Sequence, residues 1–275
     1  MSALVDFLKN LFNPPIFPKI TVPLDLEGPP VFAASVAPHE SAYSAGVWGI
    51  DVSKWQGLID YRAAWNEGIR FVIAKGCEGN RYYDPLFQAN YENALAAGMY
   101  FFAYMFLRPA YKIEDHKFTL TKAIGDKKIS GVMLDCEVTD GMNPQICTDL
   151  IWGMAKFIQP AWEHNIIYSR ASWWNPNVKR SSNWAKLCAV DTAHWGVPVE
   201  KVSTPVDWKT WDIWQAGIVN NRFGVKGDVD FCVWREDRFP GNNPLPPPPP
   251  PVKDFFDLTG KTNAGESFAG RITKV

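Results

Sequence analysis

Apolar runs four to eight residues long alternate with amphipathic stretches from about residue 48 to residue 170, the rhythm of strand followed by helix. Residues 48–53 read as the first strand, and residues 60–68 as a helix stopped by glycine. Residues 70–77 (RFVIAKGC) predict a strand buried on both faces, followed by a helix over 85–97 with Gly98 as its stop. Residues 99–106 predict a third strand, 112–124 a helix and 131–138 a fourth strand. Asn143-Pro144 supplies an N-cap and an N1 proline for a helix running to about residue 163. Residues 165–169 predict a fifth strand. Beyond it helices become short or vanish, and 185–190, 209–216 and 228–234 read as three further strands. The fold class expected is therefore α/β, a barrel of about five β/α units followed by three mainly antiparallel strands, and not a regular eightfold one.

The periodicity fails at both ends. Residues 1–45 hold seven prolines and predict a short helix followed by an extended arm. Residues 46–236 form the catalytic-domain candidate. Residues 237–251 predict a linker ending in six consecutive prolines, a stiff spacer rising about 3 Å per residue. Residues 252–275 are too few for a core of their own and read as a docking peptide, an oligomerisation tag or a truncated module.

Composition narrows the partners. A net charge of −1 gives no basic footprint for nucleic acid. The apolar stretch near the N-terminus is interrupted by Asp6 and Lys9, so neither a signal-peptide core nor a membrane span is expected. The expected route is synthesis in the cytoplasm and action outside it after release, by host-cell lysis or from a virion. The five cysteines are odd in number and lack CxxC spacing, which excludes a fully paired disulfide framework and leaves a zinc ribbon unsupported. All 13 tryptophans lie within residues 48–234, a richness that suits sugar stacking as well as a core.

The candidate chemistry is carboxylate. Asp135 and Glu137 stand two positions apart at the end of an apolar run, so a continuing strand would point both the same way, roughly 6–7 Å apart. Two such acids in a partly dry site cannot both ionise cheaply, which suits acid/base work on a glycosidic bond. The other reading of the pair is a helix cap and a solvated acid. Asp51, Glu78 and Asp230 fall at or near other predicted strand ends, the positions that line active sites in β/α barrels. Lys75 is a candidate partner for them. Such a cluster serves a glycosidase, which needs no cofactor, or a hydrolase using magnesium or calcium. The four histidines fall away from strand ends, against a zinc site.

Three of these segments carry a resemblance. Residues 49–57 (GIDVSKWQG), 75–79 (KGCEG) and 134–137 (LDCE) are similar to successive signatures of glycoside hydrolase family 25, the Chalaropsis-type lysozymes found among phage endolysins and bacterial autolysins. Residues 103–106 (AYMF), 167–169 (IYS), 211–215 (WDIWQ) and 227–230 (GDVD) resemble its other blocks in order. The resemblance spans about residues 47–234 and implies a flattened, irregular β/α barrel. It also implies a peptidoglycan hydrolase cutting the MurNAc-β-1,4-GlcNAc bond. In that family pattern Glu137 is the general acid/base and Asp135 assists the substrate's own N-acetyl group. Asp51 and Asp230 match the two further acids, and Tyr104, Tyr168 and Trp214 the sugar-facing surfaces, with Glu78 also on the substrate side. The chain departs from the pattern at Cys77, where Ser or Thr is usual, and at Met105, often His. Those departures and the two arms keep another class open: a catalytically weak or inactive peptidoglycan-binding virion component, its arms docked to a protein partner or particle.

Overall fold

The computed structural model describes residues 36–241 and the two strands Phe255–Lys261 and Ser267–Thr273. The N-terminal helix and arm expected before residue 36, and the polyproline run, lie outside the described residues. Within 36–241 the strands are β1 (Val47–Val52), β2 (Ile69–Glu78), β3 (Tyr82–Tyr83), β4 (Tyr100–Phe106), β5 (Gly131–Asp135), β6 (His164–Ser169), β7 (Ala189–Ala193), β8 (Ile213–Asn220) and β9 (Asp228–Trp234). The helices are α1 (Tyr61–Asn66), α2 (Phe87–Ala96), α3 (Ile113–Ile124), α4 (Pro144–Ile158), α5 (Ala171–Asn177) and α6 (Trp184–Leu187). The sheet runs β1-β9-β8-β7-β6-β5-β4-β2-β3, and a further β1–β2 pairing closes eight strands into a barrel with β3 appended. Phe255–Lys261 and Ser267–Thr273 form a separate antiparallel ladder.

Local chemistry accounts for the elements. Asp60 caps α1 by accepting the Ala63 N–H at 2.9 Å. Asn143 accepts the N–H groups of Gln145 and Ile146 at the head of α4, with Pro144 at the first helical position. Helix α4 then buries Cys147, Leu150, Ile151, Met154, Ala155 and Ile158, one face of a 3.6-residue period. Strand parity sorts the rest into two cores. Ile50, Val72, Phe101, Leu134, Ile167, Val190 and Phe231 face the helices, whereas Phe71, Ile73, Phe102, Met133, Ile166, Ile213 and Trp234 fill the barrel. Gly49 lies in that filled interior, where an added Cβ would stand 2.3 Å from the Phe71 ring.

Three expectations are revised. Strand β5 stops at Asp135 rather than residue 138, because the chain turns through Asp140 and Gly141, both in the left-handed region at φ +49° and +75°. The strand expected over 185–190 is instead helix α6 followed by β7. The Trp184 ring is wedged edge-on against Trp152 and Trp174 from a helical turn, and an apolar run this short does not distinguish the two states. The antiparallel part of the last three barrel strands is also narrower than expected: β7 pairs parallel with both β6 and β8, and of the three β9 alone runs against both its neighbours.

Candidate active site

Seven parallel strands end at one mouth of the barrel, and the inward positions there carry the polar residues. Inward parity continues from Ile73 to Lys75, from Phe102 to Tyr104, from Met133 to Asp135, from Ile166 to Tyr168, from Ile213 to Gln215 and from Cys232 to Asp230. Asp51 and Asp230 are register partners across the antiparallel β1–β9 pair, which places their Cβ atoms roughly 5 Å apart. Asp135, the last residue of β5, lies beside Tyr168 of β6. Glu137 follows in the loop, so its approach to Asp135 comes from the turn and not from strand spacing.

The electrostatics are those of acids crowded in a dry space. Burial raises the Asp51 pKa well above the usual carboxylate range, and Asp230, Asp191 and Glu137 push it further; Lys75 opposes them. Asp135 is raised in the same way, by burial first and then by Glu137 and Asp51. Asp230 is pushed up to about 7 by burial and by Glu137. Asp51 and Asp230 keep a little exposure at the mouth, yet enough protein surrounds them for desolvation to dominate. One oxygen each of Asp135 and Asp230 meets no protein donor.

Lys75 is a cation facing this cluster, with its Nζ 2.6 Å from Glu78 and 5.0–5.9 Å from the Phe106, Tyr82 and Tyr104 rings. Burial alone would lower its pKa, but the Glu78 charge and hydrogen bond outweigh that and raise it. Glu78 is thus engaged within the protein: it also accepts from Arg108 Nη1 at 3.0 Å. Arg108 continues the chain with a two-pronged bond to Asp140, Nε to Oδ2 at 3.1 Å and Nη2 to Oδ1 at 2.9 Å. Asp140 Oδ2 also accepts the Ala110 N–H. This clamp holds the turn that leaves Glu137, including the left-handed Asp140.

The aromatic residues divide. Tyr104 and Tyr168 face the acids, whose charges help burial raise both phenol pKa values. The Tyr168 hydroxyl donates to Gln215 Oε1 at 2.9 Å, and Trp195 Nε1 donates to the same oxygen. Trp214 is placed elsewhere. It is fully buried among the helix-facing residues, its Nε1 donating to the His194 carbonyl, so it presents no face to a ligand. Trp55, three residues past β1, is 44% exposed, and the Lys54 ammonium lies 4.6 Å from its ring and 5.5 Å from that of Tyr82. Strand-end reasoning passes over both rings, because they lie in loops or short pairings after the strands.

Asp191 is the larger omission. It is fully buried on β7, and burial pushes its pKa up to about 8, with Asp230 adding to the effect. Neither of its oxygens receives a well-aligned hydrogen bond, and the Gln215 backbone N–H offsets only part of the burial effect. A strand read as 189–193 instead of 185–190 puts Asp191 on the inward face by alternation alone.

The two departures from the family pattern avoid the mouth. Cys77 and Met105 are register partners on β2 and β4, both fully buried against the helices, and burial raises the Cys77 pKa, keeping it an inert thiol. All five cysteines are free and buried. His194, expected away from strand ends, directly follows β7, where its Nδ1 accepts the Ser203 N–H. Among the described residues no group of three or more His, Cys, Asp or Glu is arranged to hold a metal, and no helix is long and apolar enough to cross a membrane.

Residues 50–218 match the model of glycosyl hydrolases family 25. The chain belongs to that family. It is 32% identical over 207 residues to lysozyme M1 of Streptomyces globisporus, covering 69% of this chain and 68% of that one. It is 27% identical to the N,O-diacetylmuramidase of a Chalaropsis species, covering 67% and 96%. A bacterial lysozyme from Streptomyces coelicolor shares the fold at a TM-score of 0.60 and 29% identity, covering 70% of this chain and 93% of its own. This family 25 chain is thus a glycoside hydrolase of the lysozyme type, and its family implies peptidoglycan hydrolysis.

Proposed function

We propose that the chain cleaves the β-1,4 bond between MurNAc and GlcNAc, with Glu137 as general acid/base and Asp135 assisting the substrate's N-acetyl group. The observation that carries the reading is the placement of Glu137 in the loop immediately beyond Asp135, at a mouth whose interior acids burial keeps from ionising together. Such crowding retains protons near neutral pH, which acid catalysis requires. Protonated Glu137 gives its proton to the leaving glycosidic oxygen. Asp135 accepts a hydrogen bond from the acetamido N–H, turning the acetamido oxygen toward the anomeric carbon, where it attacks as the bond to the leaving sugar breaks. Ionised Glu137 then takes a proton from the water that opens the cyclic intermediate, and both groups return to their starting state. Asp230, whose pKa of about 7 leaves it partly ionised near neutral pH, supplies negative potential where positive charge develops at the anomeric centre, and Asp51 holds its proton beside it. Tyr104 and Tyr168 border the reacting sugar, and Trp55 and Tyr82 extend the binding face outward.

The test is Glu137→Gln, which keeps shape and removes the proton. Clearing of a wall suspension should fall by at least about a hundredfold with the fold retained. Mass spectrometry of wild-type digests should show new reducing-end MurNAc. Undiminished clearing by the variant, or new GlcNAc ends instead, would refute the assignment.

A further inference from the structure

The barrel has a second polar opening, at the end where its parallel strands begin. A cavity of about 480 Å³ lies there between the end of α4, helix α6 and the starts of β6 and β7. That volume is within the range of sites for small organic ligands. Among its lining residues are Trp162, Asn165, Lys186, Asp212, Trp234 and Arg238.

Two of these residues present polar atoms that the protein leaves unmatched. Trp234 is 2% exposed and its Nε1–H meets no acceptor; Asn165 is 8% exposed and its Oδ1 meets no donor. The Asn165 amide is held in orientation, because its Nδ2 donates to the Trp162 carbonyl at 3.2 Å. The indole N–H is a donor only and the amide oxygen an acceptor only. The site therefore offers one fixed donor and one fixed acceptor, a demand that hydroxyl and acetamido groups meet in both directions. Asp212 is already engaged, accepting the Val190 N–H at 2.9 Å and facing Arg238 at 3.5 Å, while Lys186 Nζ donates to Asn183 Oδ1 at 3.3 Å and the exposed Glu163 faces His164 at 3.9 Å. A strongly charged ligand would have to break that arrangement. The half-buried Trp162 indole adds a flat apolar face, suited to the C–H face of a pyranose.

We propose that this cavity is a second saccharide site, taking one or two uncharged N-acetylhexosamine units. The source of those units rests on the reading that the chain acts on wall glycan. Four residues of β9 separate Trp234 from Asp230, roughly 13 Å along the strand, and Phe102, Met133 and Ile166 fill the barrel interior, so the site holds a stretch of glycan other than the one being cut. Its effect is on retention at insoluble wall, through a raised effective concentration, and not on the chemical step.

The experiment titrates tri-N-acetylchitotriose into the full chain carrying Glu137→Gln and follows the Trp234 indole N–H resonance by NMR. A saturable shift is expected, and Trp162→Ala or Asn165→Leu should weaken it at least tenfold. In the otherwise wild-type chain, either substitution should leave hydrolysis of soluble fragments unchanged and lower binding to insoluble wall severalfold. Unchanged hydrolysis also certifies the fold of each variant. An indole resonance that does not move at millimolar trimer, an equal shift from a glucose trimer, or full affinity in both variants would overturn the proposal. Failure of the wild-type chain to cut wall, with the Trp234 shift intact, would count against the catalytic reading alone.

Discussion

Asp191 allows the electrostatics of the barrel to be tested apart from catalysis. Its ordinary pKa is 3.8 and burial raises it to about 8 in the folded chain. Between those values the folded state holds a proton that the unfolded state has released. Stability therefore falls as pH rises, by about 1.4 kcal/mol per pH unit from this group. The sign follows from the direction of the shift: the raised carboxyl costs nothing below pH 4, and its cost accumulates up to about pH 8. Over pH 5 to 7, two units inside that window, the loss is about 2.7 kcal/mol. Asp191→Asn replaces a neutral buried acid by a neutral amide of the same shape, leaving the field at Asp230 nearly unchanged. The variant should lack this part of the slope while keeping the parts due to Asp51, Asp135 and Asp230. Urea unfolding of both proteins at pH 5, 6 and 7 measures it: the stability difference should shift toward the variant by about 2.7 kcal/mol across the range. Parallel pH dependences would refute the claim that Asp191 keeps its proton in the fold.

Two other perturbations probe different parts of the structure. Arg108→Ala removes the clamp on Asp140 and one of the Glu78 partners, and kcat should fall about tenfold or more with KM little changed. Arg108→Lys should restore only part of it, since an ammonium cannot bridge two carboxylates as a guanidinium fork does; full recovery in steady-state kinetics would refute the clamp. Gly49→Ala should cost about 1–3 kcal/mol in denaturant unfolding, because the new methyl meets a Phe71 ring hemmed in by Phe102, Trp234 and Phe239; a change under about 0.5 kcal/mol would refute that packing.

The legible part of the chain was the part governed by local rules. Apolar runs such as 70–77 and 228–234 are strands because nothing else buries so many β-branched and aromatic residues in so few positions. The Asn143-Pro144 cap and the Gly98 stop mark helix ends through backbone chemistry that needs no distant partner. Asp51, Asp135 and Asp230 could be nominated because strand ends of a β/α barrel share one mouth.

Other features depended on long-range contacts. Residues 184–187 are helical because Trp152 and Trp174 receive the Trp184 ring, and those partners are 32 and 10 residues away. Trp214 was assigned to the sugar side by a motif, whereas its parity on β8 turns it toward the helices and the His194 carbonyl. Glu78 looked available in the sequence and is held between Lys75 and Arg108 in the fold. The sequence by itself determined which residues are acidic and which segments are strands. Barrel closure decided which acids share a dry space, because desolvation and mutual repulsion depend on the distance between chains and not on spacing along one.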